Sequence, residues 1–196
     1  MQGSRIRRIA VSGGPGAGKT TLWRTLSELH SERVVAVPEV ATLLFSHIFP
    51  PVRSDLERRA VQSAIFAVQR NLELTYEARL EPGQILLCDR GVPDGGGYWP
   101  EGPDDFFRAM SADWQAELSR YEAVLFMESA AVGGLCIAEG NQTRTEDLVT
   151  ASALDGCLRS VWQSHPRFLH VAHERDFAAK LERACAVAES LLLGPS

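Results

Sequence analysis

Residues 13–20 combine closely spaced glycines with a lysine and a threonine, in the order GGPGAGKT. In this G-x-x-x-x-G-K-T spacing, the glycines allow the backbone to turn sharply and bring its N–H groups close to an anion. Lys19 would reach the β- and γ-phosphates of a nucleotide, and the Thr20 hydroxyl would bind Mg²⁺. An apolar run precedes the loop and a helix is expected to follow, which favours a phosphate site over a chance glycine turn. The predicted phosphate-binding residues are Gly13, Gly14, Pro15, Gly16, Ala17, Gly18, Lys19, Thr20 and Thr21.

An acid and a base, Asp89 and Arg90, follow the apolar run ILLC. In P-loop proteins, a carboxylate where a strand meets a loop often holds Mg²⁺, directly or through water. The alternative for Asp89 is that it caps a turn. The guanidinium of Arg90 suits a phosphate or a phosphate-like transition state, and the alternative is a surface arginine paired with an acid. We therefore predict a metal role for Asp89 and a phosphate role for Arg90.

Glu39 lies directly after a second apolar run, in the sequence VPEVA. At this position in the expected sheet it would be next to the glycine loop. A carboxylate there can accept a proton from a substrate hydroxyl or help to hold Mg²⁺. It can equally satisfy the N-terminus of a helix that begins nearby, so both interpretations stay open.

Arg144 lies in the segment NQTRTED. As a lid arginine it would reach over the nucleotide phosphates and stabilise charge during transfer. The Thr and the acids that follow it are also typical of a helix start, but that interpretation leaves the arginine unexplained.

Three residues outside these motifs have weaker cases for a role at an acceptor site. Arg70 would line an acceptor pocket or lie on a solvated helix face, and the second is the commoner outcome. Phe66 and Trp99 would stack on a planar acceptor, although aromatic residues near glycines more often pack in a core.

The order of apolar and amphipathic segments predicts how these residues are positioned. Strands are predicted at 8–13, 33–40, 84–91, 121–128 and 167–173, and helices at 17–30, 55–80, 145–165 and the C-terminal end. The expected apolar faces are Leu22, Leu26 and Leu29 in the first helix and Val61, Ile65, Val68 and Leu72 in the long one. Residues 91–105 are predicted to form a Gly/Pro-rich loop at the sheet edge that binds ligands.

Alternation of strands and helices predicts an α/β fold. We expect a three-layer α/β/α sandwich with a five-stranded, mostly parallel sheet, the P-loop NTPase fold. The 196 residues, 45% of them hydrophobic, fit one nucleotide-binding domain over residues 1–196.

Charge and cysteine content narrow the partners and the compartment. The net charge of -5 argues against a nucleic-acid partner, and no segment approaches the length of a membrane span. The cysteines at positions 88, 136, 157 and 185 form no C-x-x-C pair, which favours a reducing, cytoplasmic compartment.

With these motifs in hand, the chain resembles a family of small P-loop kinases and NTPases of the AAA type. The resemblance covers about residues 8–175 and is carried by the glycine loop, VPEVA, a long helix, LLCDRGVPD and RTED in this order. This family includes the ribosylnicotinamide kinase domain of the bacterial NAD-biosynthesis regulator. It also includes an animal translocation-defect protein that binds GTP and phosphoinositides.

The arrangement is also similar to that of deoxynucleoside kinases, in which a Glu after the second strand acts as base. That resemblance implies Glu39 as the base and Asp89 with Arg90 as the Mg²⁺ and phosphate pair, although the two acids can exchange roles. The chain departs from many nucleotide kinases in having one clear lid arginine. FMESAAVGG stands where Ras-type GTPases have N-K-x-D, which weighs against that class and leaves the base unassigned.

These observations predict a Mg²⁺-dependent kinase that uses ATP or GTP. It would transfer the γ-phosphoryl group to a hydroxyl or phosphate of a nucleoside-, nucleotide- or metabolite-like acceptor. The predicted catalytic residues are Lys19, Glu39, Asp89, Arg90 and Arg144, and the predicted metal ligands are Thr20, Asp89 and Glu39. The alternative is a nucleotide-binding switch or sensor with slow hydrolysis and no small-molecule acceptor. The sequence leaves the acceptor and the oligomeric state open.

Overall fold

The computed structural model describes residues 7–134 and 148–193. Within them, one sheet is formed by β1 (Arg7–Ser12), β2 (Val34–Val37), β3 (Ile85–Asp89), β4 (Ala123–Met127) and β5 (Phe168–Val171). The strand order is β2-β3-β1-β4-β5, and every neighbouring pair is parallel. The predicted α/β fold is confirmed, and the sheet expected to be mostly parallel is parallel throughout these strands.

The helices pack around this sheet and join its strands. They are α1 (Lys19–Leu29), α2 (Val40–His47), α3 (Asp55–Glu77), α4 (Asp94–Tyr98), α5 (Pro103–Ala109), α6 (Trp114–Ser119), α7 (Leu148–Trp162) and α8 (Phe177–Leu193). The helices predicted at 17–30, 55–80, 145–165 and the C-terminal end correspond to α1, α3, α7 and α8. In the described ranges, no helix is both long and apolar enough to cross a membrane.

Two apolar clusters cover the two faces of the sheet and make the three layers. On one face, α1 and α8 pack on the sheet through residues such as Leu22, Leu26 and Leu191. On the other face, α6 and α7 contribute Leu118, Val161 and the fully buried Trp162. Because both faces are covered, β3 and β4 are buried at every position and need no polar alternation.

Two of the predicted apolar faces are wrong in part. Leu29 in the last turn of α1 and Val68 in α3 are both exposed. In α3, the core-facing positions include Gln69 and Glu73, which are buried because they belong to a hydrogen-bonded network described below. Apolar periodicity alone therefore assigned part of the buried face of this helix to the wrong residues.

The segment 91–105 is not the continuous loop that the sequence predicted, because α4 lies inside it and α5 begins at Pro103. Its glycines allow close packing. A Cβ on Gly95 would lie 2.5 Å from the Phe106 ring, and one on Gly97 would lie 2.8 Å from Leu158. Glycine here brings α4 against α5 and α7, a role that composition does not distinguish from turn formation.

Candidate functional site

The carboxyl end of β1 leads into the glycine loop, whose backbone accepts only glycine at key positions. Gly13, Gly16 and Gly18 have φ of +136°, +68° and +89°. A Cβ on Gly13 would lie 2.0 Å from the carbonyl oxygen of Met127, at the end of β4. The loop thus lies against the neighbouring strand so closely that a side chain at residue 13 is excluded.

Asp155 of α7 holds the glycine loop in place through its carboxylate. Its Oδ1 accepts hydrogen bonds from the backbone N–H of Gly14 (2.8 Å) and of Ser129 (2.9 Å). Burial raises the pKa of the Asp155 carboxyl, and these two N–H groups act against that rise. The Ser129 hydroxyl in turn donates to the carbonyl of Pro15.

Lys180 of α8 makes a second attachment to the loop. Its ammonium donates to the carbonyl of Ala17 (2.8 Å) and to that of Glu128 (2.6 Å). Burial lowers the pKa of Lys180 to about 8. Neither contact was predictable from local sequence patterns, because they join residues 163 and 52 positions apart.

Lys19 and Thr20 begin α1 directly after the loop. The Lys19 ammonium donates to the Gly14 carbonyl at 2.6 Å, so it lies across the loop where the motif predicts phosphates. The Thr20 hydroxyl donates to Asp89 Oδ2 at 2.9 Å. Thr21 is exposed in the same turn. The structure therefore brings Lys19, Thr20 and Asp89 together, as the sequence predicted.

Asp89, at the end of β3, has the environment of a metal ligand. It is only 2% exposed, and its Oδ1 accepts no hydrogen bond from the described residues. Burial and the nearby Glu39 raise the pKa of the Asp89 carboxyl, while Lys19 and Arg90 lower it. An unpaired buried carboxylate oxygen beside a threonine hydroxyl fits Mg²⁺, which prefers oxygen ligands.

Arg90 has a left-handed backbone with φ of +74°, which is unusual for a residue with a side chain. Its buried guanidinium donates from Nε to Glu39 Oε1 at 2.5 Å and from Nη1 to Asp94 Oδ2 at 3.0 Å. Nη1 also lies 3.4 Å from the Gly13 carbonyl. Of the alternative, a surface arginine paired with an acid, the pairing is confirmed twice over but the surface location is wrong, because Arg90 is buried where the glycine loop, β3 and the start of α2 meet.

Asp94 is a site residue to which the sequence analysis gave no role, although it ends the quoted LLCDRGVPD segment. It is 4% exposed, and its Oδ1 accepts from the Ser12 hydroxyl (2.8 Å) and from the Trp162 indole N–H (2.5 Å). Asp94 therefore holds Arg90 from α4 while it is itself held by β1 and α7.

Behind Arg90, the fully buried Glu73 of α3 organises the backbone of the 90–92 segment. The Tyr121 hydroxyl accepts from the Val92 N–H at 2.8 Å and donates to Glu73 Oε1 at 2.7 Å. Gln69 Nε2 donates to the same carboxylate oxygen at 3.0 Å and approaches the Arg90 carbonyl at 3.5 Å. These bonds constrain the chain where Arg90 has its strained conformation.

Glu39 lies at the N-cap position of α2, yet its side chain makes no capping hydrogen bond to the helix backbone. Its carboxylate accepts instead from Arg90 and from the Thr42 hydroxyl. The geometry thus places Glu39 at the edge shared by the glycine loop and the segment after β3.

A cavity of about 450 Å³ opens beside Arg90, between α2, α3 and the 90–98 segment. Its walls are mainly apolar and include Phe45, Phe49 and Phe66, while Gln62 and Gln69 are among its polar lining residues. This volume is in the range of pockets that hold small molecules.

Of the three residues with weaker cases for a role at an acceptor site, only one lines the cavity. Phe66 lines the cavity and packs edge-to-face on Phe106. Trp99 is buried against Phe106 and belongs to the core. Arg70 is half-exposed, lies 3.4 Å from Glu117 and does not line the cavity. Arg144 lies outside the described residues.

The comparison with protein families agrees with this geometry. A family model described as an AAA domain matches residues 8–180 of the chain. A search of curated proteins found no match to the chain. The relation to the ribosylnicotinamide kinase domain stays a prediction.

Proposed function

Because the chain belongs to the AAA domain family, a family of P-loop nucleotide-binding proteins, we propose that it is a small-molecule kinase. It would transfer the γ-phosphoryl group of ATP or GTP to a hydroxyl or phosphate of a nucleoside-, nucleotide- or metabolite-like acceptor. The proposal applies to one catalytic domain that spans residues 1–196.

The cavity beside Arg90 is the observation that carries this proposal. Arg90 contributes to the cavity wall, and its Nη1 lies 3.4 Å from the carbonyl of Gly13 in the glycine loop. One guanidinium therefore borders both the predicted phosphate site and a space large enough for an acceptor. A switch or sensor without an acceptor would have no need of this space.

The residues suggest a direct transfer between the two sites. The loop N–H groups and Lys19 would hold the β- and γ-phosphates. The acceptor oxygen would attack the γ-phosphorus while the bond from that phosphorus to the β–γ bridging oxygen breaks. The electron pair of that bond leaves with the nucleoside diphosphate. When the acceptor is a hydroxyl, its proton would pass to Glu39.

The two acids would divide their work according to their neighbours. Asp89 and Thr20 would hold Mg²⁺, because their oxygens are paired and Asp89 Oδ1 is buried without a donor among the described residues. The bound ion would neutralise charge on the nucleotide phosphates. Glu39 accepts a hydrogen bond from Arg90, which lines the cavity, and its predicted contribution to the metal site is the secondary one.

Arg90 would stabilise the charge of the transferring group from the cavity side, and Arg144 would do so as the lid arginine. Phosphoryl transfer depends mainly on positioning and charge neutralisation. The double attachment of Arg90 to Glu39 and Asp94 supplies that positioning.

The test is a Mg²⁺-dependent nucleotide-consumption assay with ATP and with GTP, run without and with a library of nucleosides, nucleotides and hydroxylated metabolites. A kinase should consume nucleotide in step with the phosphorylated acceptor, and mass spectrometry of the products identifies that acceptor. Hydrolysis that no acceptor stimulates would overturn the proposal and favour the switch or sensor.

Three variants make the assay specific. Lys19→Ala should abolish nucleotide binding, and Asp89→Asn should abolish the Mg²⁺-dependent transfer. Asp104→Asn makes the same chemical change at an exposed position of α5 and should leave the rate unchanged. An Asp89→Asn variant as active as Asp104→Asn would remove Asp89 from the mechanism.

A further inference from the structure

The sequence contains only two lysines, and the structure brings both to the glycine loop. Of its 20 lysine and arginine residues, only Lys19 and Lys180 are lysines. The Lys19 ammonium donates to the Gly14 carbonyl, and the Lys180 ammonium donates to the Ala17 carbonyl. An ammonium is a compact donor of three hydrogen bonds, whereas a guanidinium is a wide planar fork. The chain therefore places this compact cation only where it contacts the loop.

Lys180 reaches the loop from α8 through the interior of the fold. The residue is only 2% exposed. Its ammonium also donates to the carbonyl of Glu128, directly after β4, at 2.6 Å. One cation thus ties α8 to the glycine loop and to the end of the neighbouring strand. A side chain buried this deeply acts on a nucleotide through the loop, and not by direct contact with it.

The peptide unit between Ala17 and Gly18 connects Lys180 to the phosphate site. In a planar trans peptide, the C=O and the N–H point in opposite directions. Because the Ala17 carbonyl faces Lys180, the Gly18 N–H is directed away from it. Gly18 is one of the residues whose N–H groups are predicted to bind phosphate. A charged donor on the carbonyl also polarises the peptide, which makes its N–H a stronger donor.

Keeping an ammonium at this position costs stability. Burial lowers the pKa of Lys180 to about 8. The charged groups that face it come from α7, from the segments after β4 and β5, and from α8 itself: Asp155, Glu128, Glu174 and Arg183. The three carboxylates act against the fall in pKa, and the arginine adds to it. Buried ionisable groups of this kind are concentrated at functional sites, where activity offsets their cost.

We propose that Lys180 is a positioning residue of the nucleotide site, whose ammonium orients the Ala17–Gly18 peptide so that the Gly18 N–H donates to a nucleotide phosphate. The inference rests on the nucleotide-binding part of the proposed function and needs no acceptor. Coupling between two sites is reciprocal, so a nucleotide that prefers the protonated form must raise the pKa of Lys180. Nucleotide affinity should then be highest where Lys180 is protonated and fall as the pH rises through its pKa.

Nuclear magnetic resonance of the full chain labelled with ¹³Cε-lysine measures this coupling, because the chain gives only two lysine signals. A Lys19→Arg variant assigns them. The Lys180 signal is titrated with pH in the wild type, without and with saturating Mg²⁺ and the imidodiphosphate analogue of ATP or GTP that binds more tightly. We expect the analogue to raise the pKa of Lys180 by an amount equivalent to about tenfold in affinity. An unchanged or lowered pKa would overturn the proposal.

Lys180→Met keeps the apolar stem and removes the ammonium. Calorimetry should show that it binds the analogue about tenfold more weakly than the wild type at about pH 7.5. Wild-type affinity should fall about fivefold between about pH 7.5 and 9.5, while that of the variant stays constant. Arg183→Met removes a positive charge from an exposed position of the same helix, and should keep both the affinity and its pH dependence within about twofold. If Lys180→Met does not fold, the wild-type titration decides.

The acceptor assay described above separates this inference from the proposed function. A rise in the Lys180 pKa on nucleotide binding, with no acceptor phosphorylated, would support the positioning role and contradict the kinase. Phosphorylation of an acceptor, with an unmoved Lys180 pKa or with equal affinity in Lys180→Met and the wild type, would support the kinase and overturn the role of Lys180. Failure of both analogues to bind the wild type would also overturn that role.

Discussion

Replacing Asp94 by asparagine should lower the free energy of unfolding by about 2–4 kcal/mol. Asp94 Oδ2 accepts from Arg90, and Oδ1 accepts from both Ser12 and Trp162. An asparagine has one acceptor oxygen and one NH₂ group. If the NH₂ group takes the Oδ2 position, it faces the Arg90 donor. If it takes the Oδ1 position, it faces the Trp162 donor. In either orientation a buried donor faces another donor.

The magnitude follows from two contributions. A buried donor left without an acceptor costs about 1–3 kcal/mol. Removing one partner of a buried ion pair costs about 3–5 kcal/mol, but Arg90 keeps Glu39 at 2.5 Å, so only part of that cost applies. For a chain of this length, about 2–4 kcal/mol corresponds to a fall in melting temperature of about 4–16 °C.

Urea unfolding of four proteins measures the effect: wild type, Asp94→Asn, Trp162→Phe and the double variant. Trp162→Phe removes the indole N–H, so the asparagine NH₂ group can then take the Oδ1 position without facing that donor. Its cost should be at least about 1 kcal/mol smaller in the Asp94→Asn background than in the wild type. The reasoning is refuted if Asp94→Asn lowers the free energy of unfolding by less than about 1 kcal/mol, or if the two substitutions are additive.

Three other measurements test separate parts of the structure. Gly13→Ala should lower the free energy of unfolding by on the order of 3 kcal/mol, because its Cβ would lie 2.0 Å from a backbone oxygen. The control is Gly83→Ala, because φ is also positive at Gly83 but a Cβ there would meet nothing within 4 Å. In urea unfolding it should lower the free energy of unfolding by only about 1 kcal/mol. Equal losses in the two variants would contradict the close approach at Gly13. Between pH 8 and 10.5 the folded protein loses the Lys180 proton while the unfolded chain keeps it. The free energy of unfolding of the wild type, relative to that of Lys180→Met, should therefore rise with pH by up to about 3 kcal/mol. A difference between the two proteins that stays constant across this pH range would argue against a buried ammonium. Burial raises the pKa of the Cys88 thiol well above its usual value, whereas Cys157 is exposed. Iodoacetamide at pH 8 should therefore label Cys157 in the native protein and Cys88 only after unfolding. Labelling of Cys88 in the native protein, detected by peptide mass spectrometry, would show instead that β3 is accessible.

The parts of the site that lie in sequence motifs were predictable. The G-x-x-x-x-G-K-T spacing predicted a helix from residue 17, and α1 begins two residues later, at Lys19. The Thr20 hydroxyl lies beside the acid Asp89, as two predicted ligands of one metal should. Asp89 was recognisable because a carboxylate ends an otherwise apolar strand, and such strand ends meet at one sheet edge. Local patterns succeed here because the loop and strand conformations are decided by nearby residues.

The supports of the site were not predictable in the same way. Asp155 bonds to a loop residue 141 positions away, and Trp162 bonds to Asp94 from 68 positions away. Neither side chain belongs to a motif, and the residue type alone does not tell a buried helical aspartate from an exposed one. The helices α2, α5 and α6 were missed because each is short, with eight residues or fewer, and gives little periodic signal.

Helix α7 carries two of these supports at a fixed interval. Asp155 holds the glycine loop, and Trp162 holds Asp94 and through it Arg90. Seven residues are almost two full turns, so both side chains project from nearly the same side of the helix. A single residue inserted between them would rotate one by about 100° relative to the other. The length of α7 between these two positions therefore cannot change without separating the supports of the glycine loop and of Arg90.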